Sequence, residues 1–122
     1  MFVASGSYTG NNTNGRAISV GFPPLAVIVK ENASGVGCIA LSTFDAGDSK
    51  EFSNSSLVTN KITAITSTGF EVSNSPDIND GGIIYYWVAF GDSGADDIAC
   101  YSFTGNGADN RSVGSLTWEP DF

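Results

Sequence analysis

Hydrophobic and polar positions alternate with period two along much of this chain, and apolar spacing of three and four is sustained nowhere. Residues 2 to 9 alternate loosely, with Phe2 and Ala4 on one side and Val3 and Ser5 on the other, which predicts a first strand. Thr9 to Gly15 is a turn by composition, because Asn and Gly tolerate positive φ and Asn side chains bond locally to the backbone. From Arg16 the alternation is clean: Ile18, Val20 and Phe22 share one face of a half-buried strand. Pro23-Pro24 removes two backbone donors and predicts a bend or an unpaired edge. Residues 25 to 29 then form a nearly continuous apolar run, as in a strand covered on both faces.

After a polar turn at residues 30 to 35, a short strand is predicted over 36 to 43. A polar connection follows over 44 to 56, the longest irregular segment and a candidate contact surface. Strands are expected at 57 to 66 and 70 to 73, around the turn Ser67-Thr68-Gly69, and a strong turn signal occupies Asp77 to Gly82. Ile83 to Phe90 is the most hydrophobic run of the chain and predicts a central strand lying between two sheets or between a sheet and a partner subunit. With no substantial helix and seven to eight strands, the fold class is all-β, an antiparallel β-sandwich.

The chain repeats its own opening. Ser7-Tyr8-Thr9-Gly10-Asn11-Asn12-Thr13-Asn14-Gly15-Arg16 returns as Ser102-Phe103-Thr104-Gly105-Asn106-Gly107-Ala108-Asp109-Asn110-Arg111, and Phe22-Pro23-Pro24 falls on Trp118-Glu119-Pro120 after one inserted residue. The expected organisation is a sandwich unit over 1–97, followed by a partial second repeat over 98–122 that completes a sheet in cis or on a neighbouring subunit.

Composition narrows the chemistry. Five basic residues against thirteen acidic give a net charge of −8, with no basic run to follow a phosphate backbone, so nucleic acid is not an expected partner. No apolar stretch approaches the roughly 20 residues that span a bilayer, so no membrane insertion is expected. The amino-terminal residues lack a charged region followed by a long apolar core, and a protein made in the cytoplasm without a signal peptide is expected. The four Asn-x-Ser/Thr sequons, at Asn11, Asn32, Asn54 and Asn110, then read as chance. Cys38 and Cys100 could pair, although buried thiols are the commoner outcome in such a protein.

The chain has no histidine, the commonest general base and metal ligand, and no phosphate loop or zinc spacing. No enzymatic activity and no cofactor are expected. Asp77 with Asp80, and Asp92 with Asp96 and Asp97, are the candidate ligands for a hard cation; solvated turn carboxylates are the simpler reading. Tyr85, Tyr86 and Trp87 are candidates for core, subunit interface or sugar stacking. Phe103, Trp118 and Phe122 join them as interface candidates. Arg16 and Arg111, which recur after the turn, predict an ion pair to a nearby carboxylate.

The repeated element resembles a bacteriophage and prophage repeat of tail-fibre and other virion proteins. Its units open with a Ser-Tyr-Thr-Gly-Asn-Gly turn and an Arg, continue through a Gly-Phe-Gln-Pro-like bend and close on Tyr-Tyr-Trp-Val-Ala-Phe; here these are Ser7 to Arg16, Gly21-Phe22-Pro23-Pro24 and Tyr85 to Phe90. A second resemblance is to the H-type lectin sandwich, through Ile18, Val20, Phe22, Pro24 and Val27, Gly69-Phe70 with Val72, and Trp87 to Gly91. That family forms trimers and binds sugars at subunit contacts; its fold and trimer carry over, whereas its sugar-contacting polar residues have no recognisable counterparts. The resemblances imply a non-enzymatic virion structural protein, a capsid decoration or small tail or fibre component, with other virion proteins as partners and a homotrimer favoured. Two alternatives stand beside it: a receptor-binding adhesin for a host glycan, and an extracellular filament subunit assembled by strand addition.

Overall fold

The computed structural model describes residues 1–95 and 97–113. Among these residues, eight strands and one helical turn follow in the order β1 (Phe2–Thr9), β2 (Arg16–Ser19), β3 (Ala26–Glu31), β4 (Cys38–Leu41), β5 (Lys50–Glu51), β6 (Ile62–Ile65), β7 (Gly69–Val72), α1 (Pro76–Asn79) and β8 (Ile84–Gly91). They form two antiparallel sheets, a five-stranded one ordered β1-β8-β3-β4-β5 and a three-stranded one ordered β2-β7-β6. This is the two-layer sandwich that the alternation predicts. No helix among the described residues is long and apolar enough to cross a membrane.

The pairing register shows how period two builds the core. Across the five-stranded sheet, Ala4, Ala89, Val27 and Ala40 stand in one row, and Gly6, Trp87, Val29 and Cys38 in the next. These side chains share the inward face with Tyr8 and Tyr85. Ile18 of β2, Phe70 and Val72 of β7 and Ile62 of β6 close over them from the second sheet. Gly6 is a packing requirement: a Cβ there would lie 2.7 Å from the Trp87 indole, which crosses the strand at that point and meets Phe70 edge-on at 5.9 Å. Full burial of a ring such as that of Phe70 contributes about 1.5–3 kcal/mol.

Several expectations are corrected in detail. Residues 57–66 yield only the four-residue β6, with a register irregularity between Ile62 and Ala64, and Val58 forms an isolated bridge to Ser49. The polar connection 44–56 contains the two-residue β5, which pairs antiparallel with β4 and forms the edge of the five-stranded sheet. The turn expected at 77–82 begins as α1, a single helical turn with Pro76 at its start, where the missing N–H costs nothing. β8 is central, between β1 and β3, and its outward face is open: Tyr86 is 51% and Ile84 40% exposed. Ile98 to Thr104, expected as a copy of β1, form no strand. The physical reason is that both edges of β8 are already taken.

Candidate functional site

The most elaborate polar site is the corner where residues 10–16 seat against residues 75–83. Asn79, fully buried, is its centre. Its side-chain Oδ1 accepts the Asn11 amide N–H at 3.0 Å and the Arg16 guanidinium at 3.2 Å. Its Nδ2 donates to Asn11 Oδ1 at 3.2 Å and to the Thr13 carbonyl at 2.8 Å. The amide's donors and acceptor are thus spent on one turn. Main-chain bonds join in: Gly10 N–H to Ile83 O at 2.7 Å, Gly82 N–H to Gly10 O at 3.0 Å and Asn12 N–H to Asn79 O at 2.9 Å. Asn12 Oδ1 also accepts the Gly81 N–H at 3.0 Å. Gly10 has no alternative here, since a Cβ would overlap the Asp80 carbonyl.

Aromatic rings support the corner from below. Tyr8 and Tyr85 stack with centroids 5.1 Å apart. The Tyr8 hydroxyl donates to Ile78 O at 2.7 Å; that of Tyr85 donates to Pro76 O at 2.7 Å and accepts the Asp80 N–H at 2.9 Å. Burial pushes both hydroxyl pKa values above the ordinary tyrosine range. Arg16, expected in an ion pair, instead lies over the Tyr8 ring at 5.0 Å and donates to Thr9 O. The ion pairs at this end belong to Lys61, only 6% exposed, which bonds Ser75 Oγ at 3.0 Å, contacts Asp77 and lies 3.5 Å from Glu51. Lys61 therefore ties β5, the start of β6 and α1 together. Sequence reasoning missed Lys61 and Asn79, because a lone lysine and an asparagine in a turn carry no signal of burial.

The second copy of the turn folds as the first does. Asn12 and Gly15 have positive φ, 60° and 68°, and so do their equivalents Gly107 and Asn110, at 72° and 54°. Asn11 Oδ1 accepts the Thr13 N–H at 3.0 Å, and Asn106 Oδ1 accepts the Ala108 N–H at 3.1 Å. Arg111 lies over Phe103 at 5.6 Å and donates to Thr104 O, as Arg16 does to Thr9 O. The same chemistry writes the same turn twice. Yet the copy is not seated: residues 101–113 are exposed throughout, and among the described residues their hydrogen bonds stay within the segment.

The remaining candidates scatter. Tyr85 is core, and Trp87 packs half-buried on Phe70, so of the three candidate aromatics Tyr85, Tyr86 and Trp87 only Tyr86 faces outward. Phe103 is 62% exposed; Trp118 and Phe122 lie outside the described residues. Of the candidate cation ligands, Asp77 pairs with Lys61 and Asp97 with the Met1 amine, while Asp80 is exposed and Asp92 half-buried; Asp96 lies outside the described residues. Among the described residues no three potential metal ligands converge. Cys38 and Cys100 are both free. Burial pushes the Cys38 thiol up to about 12, which keeps it protonated and poorly nucleophilic.

Two surface features complete the inventory. A cavity of about 210 Å³ opens beside loop 42–48, with Ala40, Leu41, Phe44, Ile62 and Ile65 in its walls and Asp45 and Asp48 at the loop. The outward face of the five-stranded sheet carries Val3 (54% exposed), Ile84 and Tyr86, backed by half-buried Ile28, Ile39, Val88 and Phe90. No known protein family, curated protein or solved structure matches the chain.

Proposed function

We propose that this chain is a non-enzymatic structural protein of a bacteriophage particle, a capsid decoration protein or a small tail or fibre component, that works through protein–protein contacts. The observation that carries this reading is the second turn. Residues 105–111 repeat the turn that residues 10–16 use as an inter-element contact, with Asn106 and Arg111 bonded locally as Asn11 and Arg16 are, and no second corner stands among the described residues to receive them. A conformation that matches a docked element and lacks its dock suits a molecule that joins others.

The outward face of β8 supports the same reading, since contiguous apolar surface of this kind commonly marks protein contacts. The virion setting rests on the resemblance of Ser7 to Arg16 and Tyr85 to Phe90 to phage repeats, and the homotrimer on the resemblance to the H-type lectin sandwich. Quantitative mass spectrometry of purified particles, with immunogold labelling, tests the reading. The protein is expected at stoichiometric copy number on the particle, and a glycan array is expected to stay blank. Absence from the particle, or a robust sugar hit, sinks it; the sugar hit would establish the adhesin alternative.

A further inference from the structure

The second turn is not a faithful duplicate, and its departures fall where the first copy meets the body of the sandwich. Three contacts of residues 2–16 depend on residue identities that the copy does not keep. Gly6, over which Trp87 lies, corresponds to Tyr101. Tyr8, whose hydroxyl satisfies the Ile78 carbonyl, corresponds to Phe103. Asn12, whose Oδ1 accepts the Gly81 N–H, corresponds to Gly107. By contrast, what Asn79 itself reads is kept: a side-chain oxygen at Asn106, a main-chain carbonyl at Ala108, a guanidinium at Arg111 and a glycine at 105. The copy retains the general key and has changed the wards.

We propose that residues 98–111 are a second plug, keyed to an Asn79-type corner on a different unit of this fold, one that presents a small side chain where this chain presents Trp87. Tyr101 fills in the plug the volume that Trp87 fills in this socket, so two bulky rings would collide if the copy entered here. Ile78 O and Gly81 N–H would also be left without partners, at a cost that a site built for them imposes on a near-match. The partner is therefore a related unit rather than an identical one. This inference names the partner class for the contacts proposed above and rests on that reading.

Two experiments on the full chain test it. In the first, Gly10→Val empties the native socket by forcing a side chain into the Asp80 carbonyl. It is compared with the same variant carrying Tyr101→Gly, Phe103→Tyr and Gly107→Asn. All three of those positions are exposed, so the replacements leave the packing of the sandwich alone. Gly10→Val alone should lose its cooperative unfolding transition. The restored variant should regain it, with hydrogen-exchange protection moved from residues 2–16 to residues 98–111.

Protection that moves in Gly10→Val without restoration overturns the proposal, because the copy would then fit its own socket. Failure of the restored variant to refold overturns it as well, since the three residues would not be what decides. In the second experiment, Gly6→Tyr is combined with Trp87→Ala in a double-mutant cycle. The double variant should melt above Gly6→Tyr, because a ring on the plug replaces the ring lost from the socket; a double variant that melts no higher contradicts the assigned partner. A glycan hit would sink the functional reading while leaving these stability readouts untouched, so the two failures are distinguishable.

Discussion

Residues 10–16 and 105–111 adopt one turn in two situations, and the difference between them separates what local chemistry dictates from what packing adds. Both copies place positive φ at the second and fifth residues after the Gly-Asn step begins, both close an Asn side chain onto the backbone two residues on, and both fold an Arg over the preceding aromatic ring. None of this needs the sandwich. Burial, the Asn79 bonds and the tyrosine stack exist only for the first copy. The turn is thus intrinsic to its residues, whereas its contribution to stability comes from the corner that receives it.

Matched substitutions should sharpen that contrast. Gly10→Ala should cost roughly 3 kcal/mol or more, as overpacking against backbone does, whereas Gly105→Ala, with open space around it, should leave the melting temperature unchanged. If both variants melt alike, the first turn is not seated as described. Asn79→Ala strips partners from buried groups of the turn and should cost about 2–4 kcal/mol in chemical denaturation; retention of wild-type stability would refute its central position.

Titration offers a third handle. Tyr8, Tyr85 and Cys38 have folded-state pKa values raised by burial above their ordinary values of 10.0 and 9.0. A raised acid of this kind favours the fold fully below its unfolded pKa and loses that contribution as pH rises beyond it. Stability should therefore hold from neutral pH to about pH 9 and fall steadily above it. Tyr8→Phe should blunt the fall, while Phe103→Tyr should leave it as it is. A flat profile to pH 11 would contradict the burial of these groups. The smallest effect belongs to the arginines: Arg16→Ala should cost about 1 kcal/mol through its ring and amide contacts, and Arg111→Ala should show no change in the same melt.

Much of this architecture can be read from the chain. β2, β3 and β8 announce themselves because a face buried between sheets forces period-two or continuous apolar residues on Ile18, Val27, Val29, Tyr85 and Ala89. Short elements escape that logic. Four residues at Pro76–Asn79 cannot show a helical period, and two residues at Lys50–Glu51 cannot show alternation. The repeat exposes the turn at residues 10–16, but its socket has no repeated partner among the described residues and so left no trace to compare. Burial of Asn79 and Lys61 is decided by residues far along the chain, out of reach of any local pattern. Ile98 to Thr104 show the reverse: strand-like residues whose natural partner β8 is already occupied.

The Gly6–Trp87 contact also has a bearing on the order of folding. β1 must wait for β8, with which it pairs from Phe2 opposite Gly91 to Thr9 opposite Ile84, so a strand made early joins one that follows it far along the chain. Ile98 to Thr104 arrive immediately after β8 and could fold back on it as a hairpin with only a short loop to close, a far smaller entropic hurdle than β1 faces. Proximity therefore favours the wrong strand at the moment when β8 first becomes available. An indole that leaves room only for glycine across the ladder disfavours Tyr101 in that register, so the contact that fits β1 also discriminates against its nearest competitor in sequence.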